Sequence, residues 1–216
     1  MKKFIKSTFI YIFYRKIKSY LDRRAVKKKW EENGRLVPPP HEIKVDVVKE
    51  TAKKFKTTIF VETGTYRGDM VFEVKNLFKK IISIELSKTL FEQAKMKFEG
   101  FNHITIVHGD SGEILGSQIS NINEPCLFWL DGHYSAGITA KGNVNTPIIQ
   151  ELNHILSHFI KEHVILIDDA RLFNGENDYP ELNELRTYIL DKKPNYRFEV
   201  DNDIIKVYKE NSTKNK

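Results

Sequence analysis

The chain has only one cysteine and no apolar run long enough to cross a membrane. Cys126 lies inside an apolar run, and because it has no partner for an internal disulfide it is predicted to be a buried thiol in a reducing, cytoplasmic setting. The longest uncharged run near the N terminus covers residues 7–14, far short of the ~20 residues that span a bilayer. Basic residues follow it directly, so neither a membrane span nor a cleaved secretory signal is predicted.

The dinucleotide-binding fingerprint G-x-G-x-x-G is also missing. Gly64 and Gly68 follow a predicted strand, but their spacing is G-x-x-x-G, which does not indicate a turn that cradles a pyrophosphate. A NAD-dependent oxidoreductase is therefore a disfavoured alternative. Four further histidines lack metal-ligand spacing and are predicted to be surface residues: His103, His154, His158 and His163.

Acidic residues are scarce only near the N terminus. Residues 1–29 hold eleven Lys or Arg and one acidic residue, Asp22, whereas the rest of the chain holds 24 basic and 28 acidic residues. The net charge of +6 therefore combines a strongly basic arm with a slightly acidic body. This distribution argues against a basic surface over the whole protein, and no nucleic-acid partner is expected.

The basic arm also contains apolar residues that recur about every four positions, among them Phe4, Phe9, Phe13 and Ile17. Because a helix turns in ~3.6 residues, this stripe drifts around the axis, and lysines interrupt it. Two interpretations stay open. The arm is either an interfacial helix attracted to anionic lipid on the inner face of the membrane, or a solvated helix that packs on the body or on a partner.

Helix-ending and stiffening residues separate the arm from the body. Asn33-Gly34 is typical of a helix end, and Pro38-Pro39-Pro40 of an extended connector. Residues 1–40 are thus predicted to be a helical arm with a proline linker, residues 41–210 one folded domain, and residues 211–216 a disordered tail.

Five short runs of β-branched and aromatic residues end on acidic residues. The predicted strands are 58–62, 81–85, 104–107, 126–130 and 164–168. Predicted helices lie at 42–55, 69–78, 88–98, 111–119, 147–159 and 182–190. This alternation predicts a parallel sheet covered on both faces, and the last two runs, 196–200 and 204–208, predict a hairpin. The expected fold class is α/β, a doubly wound seven-stranded mostly parallel sheet.

In such a sheet the acidic strand ends share one edge, where ligands of open α/β sheets bind. Glu62 precedes the glycine pair at the first strand end. Glu85 ends the next strand, where a carboxylate can accept both hydroxyls of a ribose. Asp110 ends the third strand and could equally cap the helix that follows.

Together, Glu62-x-Gly64-x-x-x-Gly68, Glu85 and Gly109-Asp110-Ser111 resemble the successive S-adenosylmethionine motifs of class I methyltransferases. The resemblance covers residues 42–208 and implies the Rossmann-like methyltransferase fold. It implies Glu62 and Gly64 at the methionine end of the cofactor, Glu85 on the ribose and Asp110 near the adenine. The cofactor-binding residues that it implies are Glu62, Gly64, Thr65, Tyr66, Gly68, Glu85, Asp110, Ser111 and Asp131.

A second acidic group follows the fourth and fifth strands, with Asp131 in the segment Leu-Asp-Gly-His-Tyr-Ser and Asp168-Asp169 after the fifth. Three carboxylates at adjacent strand ends make a hard oxygen site of the kind that Mg²⁺ takes. The pattern is similar to that of macrocin-type O-methyltransferases, which methylate sugar hydroxyls with magnesium. That resemblance implies Asp131, Asp168 and Asp169 as metal ligands.

His133 departs from the macrocin-type pattern, in which a further acidic residue tends to follow the first aspartate. Imidazole titrates near neutrality, so His133 or Asp131 could take the proton of the acceptor hydroxyl. His133 could also neighbour the metal or bond to its own loop backbone.

Four other side chains near these motifs have two interpretations each. Arg171 and Lys141 could pair with an anionic group of the acceptor or neutralise the carboxylates. Tyr66 and Tyr134 could shield the sulfonium and stack on a ring, or serve in ordinary packing.

These features predict an S-adenosylmethionine-dependent O-methyltransferase that modifies a sugar or glycan hydroxyl with the help of Mg²⁺. The expected partners are a small-molecule or glycan acceptor and, through residues 1–36, an anionic membrane surface; an oligomer is compatible with the sequence. Besides the oxidoreductase, two alternatives stay open: a nucleic-acid methyltransferase, which the acidic site disfavours, and a catalytically inactive membrane-associated adaptor that keeps the fold.

Overall fold

The computed structural model describes residues 21–132 and 146–210. Seven strands form one sheet in the order β3-β2-β1-β4-β5-β7-β6. The strands are β1 (Ile59–Thr63), β2 (Lys80–Glu85), β3 (Ile104–His108), β4 (Cys126–Leu130), β5 (Val164–Ile167), β6 (Tyr196–Asp201) and β7 (Ile204–Lys209). Strands β1 to β5 pair in parallel, whereas β7 runs antiparallel to both β5 and β6. The predicted fold class is confirmed.

Helices cover both faces of this sheet. Residues 21–32 are helical and are termed α1; the others are α2 (His41–Phe55), α3 (Asp69–Val74), α4 (Lys88–Lys97), α5 (Ser111–Ile119), α6 (Ile148–Ser157) and α7 (Leu182–Lys192). One core joins the sheet to α5, α6 and α7, and a second core joins the opposite face to α2 and α3. Strands β1, β4 and β5 are buried throughout, as expected for a sheet covered on both sides.

One predicted helix is shorter than expected. The apolar pattern predicts a helix over 69–78, but α3 ends at Val74. Residues 75–77 form a turn, and Phe78 leaves the helical path to fill the core, where it is 4% exposed and stacks on Phe60. The chain must enter β2 at Lys80, so core packing overrides the helical pattern at this point.

The described end of the arm packs on the domain. Trp30 in α1 is buried, and its Nε1 donates a hydrogen bond to the carbonyl of Leu36 at 2.8 Å. Arg23 forms an ion pair with Glu73 near the end of α3. In the part of the chain that the structure describes, no helix combines the length and the apolar character needed to cross a membrane. Residues 1–20 and the predicted tail 211–216 lie outside the described residues.

The prediction that all four scattered histidines lie at the surface is wrong for His158 and His163, which are 8% and 1% exposed. They form a buried relay at the amino-terminal end of the sheet. The backbone N–H of Cys126 donates to His163 Nδ1 (3.0 Å), His163 Nε2 pairs with His158 Nδ1 (2.9 Å), and His158 Nε2 pairs with the carbonyl of Ile119 (3.0 Å). All three bonds are satisfied when both rings are neutral, each with its proton on Nε2.

This relay predicts a loss of stability in mild acid. Burial, together with the nearby His158, lowers the pKa of His163 to about 4 from an ordinary 6.5. Below pH ~6.5 the unfolded chain therefore takes up a proton that the folded chain refuses until about pH 4. The free energy of unfolding should fall across this window by as much as ~3 kcal/mol. Urea unfolding at several pH values measures the effect.

A matched pair of variants isolates the contribution of His163. Glutamine can accept from Cys126 N–H and donate to His158 without titrating, so His163→Gln should flatten the pH dependence. His41→Gln, at an exposed histidine, should keep the wild-type slope. Equal slopes for both variants would show that the buried relay does not limit acid stability.

Candidate active site

The predicted site residues that the structure describes lie at the carboxyl edge of the sheet, around the point where the strand order reverses. Strand β1 lies between β2 and β4, so the chain crosses to opposite sides of β1, and such a switch point leaves a crevice for ligands. Gly64 stands directly after β1 with a φ of +81°. A Cβ at Gly64 would lie 2.4 Å from the backbone oxygen of Asp131, so only glycine allows the ends of β1 and β4 to come this close.

Gly68 serves packing as well as the turn. It has a φ of +69° and caps the start of α3, and a Cβ there would lie 2.6 Å from the ring of Phe98. The tight turn expected from the glycine pair is present. A side chain at Gly64 would clash with Asp131, and one at Gly68 would clash with Phe98. Glycine is therefore required at both positions by the turn and by its packing.

Glu85 is a buried carboxylate at the end of β2, 5% exposed. Its Oε2 accepts the backbone N–H of Tyr66 and its Oε1 that of Ser87, each at 2.8 Å. Burial raises the pKa of Glu85 despite these hydrogen bonds. The carboxylate thereby ties the turn after β1 to the end of β2. Tyr66 itself has a φ of +49° and a side chain that is 42% exposed, beside Arg67.

Glu62 lies deeper, with an exposure of 2%. The hydroxyl of Ser83 donates to its Oε2 at 2.5 Å and lies 2.6 Å from the hydroxyl of Thr65. Burial raises the pKa of Glu62 well above its ordinary value, and the nearby charges of Asp131 and Glu85 add to the rise. Glu62, Ser83 and Thr65 therefore form one hydrogen-bonded network under the turn that follows β1, and Glu85 holds the same turn through the N–H of Tyr66.

Asp110 is the N-cap of α5, and its Oδ1 accepts the N–H of Gly112 at 2.9 Å. Asp110 thus caps α5, as one of its two interpretations predicted, and its second carboxylate oxygen is left for another partner. The next residue, Ser111, is buried and donates to Glu151 Oε1 at 2.5 Å. The predicted cofactor residues of the third strand end are thereby linked to helix α6.

Glu151 is a site residue that the sequence predictions missed. It is 1% exposed, and burial raises its pKa to about 7. A Cβ at Gly132 would lie 3.0 Å from its Oε1 and 3.2 Å from the hydroxyl of Thr63, so this carboxyl borders the switch point. The sequence signals only its burial, because Glu151 falls on the apolar face of α6 with Ile148, Leu152 and Ile155.

The three aspartates predicted as metal ligands do come together. Asp131 follows β4, while Asp168 and Asp169 follow β5, and one oxygen from each lies within 4.8 Å of the others. Asp168 and Asp169 are 4% and 6% exposed. This all-carboxylate donor set suits a hard divalent cation. Burial and the charges of Asp131 and Asp169 raise the pKa of Asp168, against the opposing effect of Lys44.

Two basic side chains already contact these carboxylates. Lys44 of α2 places its Nζ 2.5 Å from Asp168 Oδ2 and 3.3 Å from Asp169 Oδ1. Arg171 Nη1 donates to Asp169 Oδ1 at 2.8 Å and also pairs with Asp203. Of the two interpretations of Arg171, charge neutralisation is the one seen. Lys44 was not predicted as a site residue, although it lies between the buried residues Ile43 and Val45 of α2.

The terminal hairpin supports this corner of the site. Asp203 lies in the turn between β6 and β7, and its Oδ1 accepts the backbone N–H of Arg171 at 2.8 Å. Its backbone oxygen accepts from Ala170 N–H, also at 2.8 Å. These bonds hold the turn in which Asp169 has a φ of +55°, an unusual conformation for a residue with a side chain. The antiparallel hairpin thus holds the turn that carries Asp168 and Asp169.

A small cleft opens beside the three aspartates. Asp131, Asp168 and Glu151 line it together with Phe173 and Tyr179. It therefore combines carboxylates with two aromatic side chains, and its volume of about 10 Å³ holds no more than a water-sized group. The predicted base His133, with Tyr134 and Lys141, lies outside the described residues.

Solved structures share this architecture at low sequence identity. The O-methyltransferase TomG of Streptomyces achromogenes, solved with S-adenosylmethionine, has a TM-score of 0.57 and 13% identity over 87% of this chain and 88% of that one. A Bacillus cereus O-methyltransferase, solved with S-adenosylhomocysteine, has a TM-score of 0.57 and 12% identity over 87% and 90%. The 23S rRNA methyltransferase ErmE has a TM-score of 0.51 and 16% sequence identity over 79% of this chain and 69% of that one.

At the sequence level, no protein-family model matches the chain, and no curated protein is significantly similar to it. The structural likeness therefore defines the fold, which is that of class I S-adenosylmethionine-dependent methyltransferases. Because O-methyltransferases and an rRNA methyltransferase share this fold, the acceptor must be inferred from the site itself.

Proposed function

We propose that the protein is an S-adenosylmethionine-dependent O-methyltransferase that acts on a sugar or glycan hydroxyl. The observation that carries the proposal is Glu85, a buried carboxylate at the end of β2 that braces the turn after β1. In a sheet of this class it stands where a ribose diol would be held. S-adenosylmethionine would supply a methyl group activated by its sulfonium.

The roles of the cofactor-binding residues follow from their contacts. Glu85 would accept the ribose hydroxyls, and the Glu62–Ser83–Thr65 network would keep the turn near Gly64 in shape for the methionine moiety. Asp110 and Ser111, at the start of α5, would border the adenine. Tyr66, exposed beside this turn, would cover the sulfonium. These assignments agree with a ligand bound across the β1–β4 switch point.

The acceptor side of the proposal rests on the aspartates. Asp131, Asp168 and Asp169 would hold Mg²⁺, which when bound would lower the pKa of an acceptor hydroxyl. Asp131 or His133 would take the acceptor proton. Alignment of the hydroxyl with the methyl group would supply much of the remaining rate enhancement.

Two rivals have less support. A NAD-dependent oxidoreductase would need a pyrophosphate-cradling turn, whereas the turn after β1 has Gly64 packed against Asp131. An inactive adaptor would have no use for three converging carboxylates, two of them buried. For the basic arm, we propose attachment to an anionic membrane surface on the cytoplasmic side.

Replacement of Glu85 by alanine tests the cofactor assignment. Loss of its charge-assisted hydrogen bonds should weaken binding of S-adenosylmethionine or S-adenosylhomocysteine by about 1 to 3 kcal/mol. Isothermal titration calorimetry measures the affinity, and thermal unfolding checks that the variant is folded. Glu92→Ala, at an exposed position on α4, is the matched control. Tight NAD binding without affinity for S-adenosylhomocysteine would refute the proposed function.

A further inference from the structure

Lys44 occupies the acidic cluster from a separate part of the fold. It belongs to the first turn of α2, whereas Asp168 and Asp169 follow β5, more than 120 residues later. Its side chain is 17% exposed. Its Nζ lies 2.5 Å from Asp168 Oδ2 and 3.3 Å from Asp169 Oδ1. Lys44 is therefore a partly buried ammonium group held by the same carboxylates that are proposed to bind Mg²⁺.

The two basic residues at the cluster differ in their attachment. Arg171 is tied to the hairpin, since Asp203 accepts both its backbone N–H and its guanidinium. The ammonium group of Lys44 instead donates to Asp168 and Asp169. Moving Lys44 away would thus free Asp168 without disturbing the hairpin, while Asp169 would keep its pair with Arg171. An ammonium group 2.5 Å from Asp168 Oδ2 and 3.3 Å from Asp169 Oδ1 competes electrostatically with a divalent cation for the same two carboxylates.

We propose that Lys44 is a built-in counter-ion that occupies the divalent-cation position and is displaced when a metal binds. This inference rests on the metal-binding part of the proposed function. It explains how three carboxylates, two of them buried, remain stable together before a metal arrives. It also implies that Lys44 weakens metal affinity, because a metal must break the pairs that Lys44 makes with Asp168 and Asp169.

Manganese binding to three forms of the full chain tests the inference. Mn²⁺ alone is the probe, measured by the loss of the free-ion signal in electron paramagnetic resonance. Lys44→Met keeps the length of the side chain and removes its charge, so Mn²⁺ should bind at least ~10-fold tighter than to wild type. Lys53→Met removes the same charge from an exposed position on α2 and should stay within about twofold of wild type.

The possible results distinguish the counter-ion role of Lys44 from the proposed function on which it rests. Equal or weaker Mn²⁺ binding by Lys44→Met would overturn the counter-ion role while leaving metal binding intact. Absence of Mn²⁺ binding in every form would overturn both the counter-ion role and the metal site. Calorimetry with S-adenosylhomocysteine on the same samples then tells whether the cofactor assignment still stands.

A second measurement uses the wild-type chain and so does not depend on how a variant folds. Reductive methylation with formaldehyde, mapped by peptide mass spectrometry, reports the accessibility of each lysine. Without metal, Lys44 should react at least ~5-fold more slowly than the exposed Lys53, because it is partly buried and ion-paired. At saturating Mg²⁺ it should react at a rate close to that of Lys53. Unchanged protection of Lys44 in Mg²⁺ would overturn its displacement.

Discussion

Replacement of Asp168 by asparagine is expected to reduce methyl transfer at least ~100-fold, and a chelator should abolish it until Mg²⁺ is restored. Asp168 is buried at the centre of the cluster and contacts Lys44, so the substitution removes a charged ligand and leaves the shape unchanged. Affinity for S-adenosylmethionine should change less than ~3-fold, since the proposed cofactor contacts of Glu85 lie at the end of β2. The measurement is S-adenosylhomocysteine formation over a panel of nucleotide sugars and glycosides.

The control for this prediction is Asp191→Asn, an exposed aspartate on α7, which should keep wild-type turnover. Undiminished turnover in excess chelator would show that the three carboxylates act without metal, as proton acceptors or as partners of Lys44. Equal losses of turnover and cofactor affinity would instead point to a general disturbance of the switch point.

The strands and their acidic ends could be predicted because both signals are local. A buried parallel strand is a short run of β-branched and aromatic residues, and such runs stand directly before Glu85 and before Asp131 and Asp168. Once the strands are parallel, their ends share an edge. The convergence of Asp131 and Asp168 therefore follows from strand pairing, whereas Asp169 lies in a turn that the terminal hairpin holds.

The site residues that the sequence analysis missed lie on helices rather than at strand ends. Lys44 and Glu151 belong to helices, and which site a helical side chain reaches depends on how the helix docks, which no local pattern records. The apolar stripe of a helix identifies its buried face, but it does not say that a charged residue on that face meets a partner. The buried pair His158 and His163 was missed for the same reason, since its bonds go to Cys126 and Ile119, in other elements.

Deletion of residues 1–20 is expected to abolish binding to anionic vesicles. This segment carries six Lys or Arg and no acidic residue, interleaved with Phe, Ile and Tyr, and each basic residue near an anionic surface contributes about 1 kcal/mol. The deletion should stop before α1 because Trp30 is buried and Arg23 pairs with Glu73; a longer deletion would test packing as well as lipid binding. Co-sedimentation with phosphatidylserine vesicles measures the effect.

The electrostatic and apolar contributions to arm binding can be separated. Binding by the full chain should weaken as salt rises, and a full-length variant with glutamine in place of the six basic residues should lose most of the binding that deletion abolishes. The shortened chain should still bind S-adenosylhomocysteine, since every proposed site residue lies beyond Pro40. Equal vesicle binding by the full and shortened chains would reject the membrane anchor. The packing of Trp30 and Arg23 would then indicate the arm's role, which is to extend the domain or to contact a protein partner.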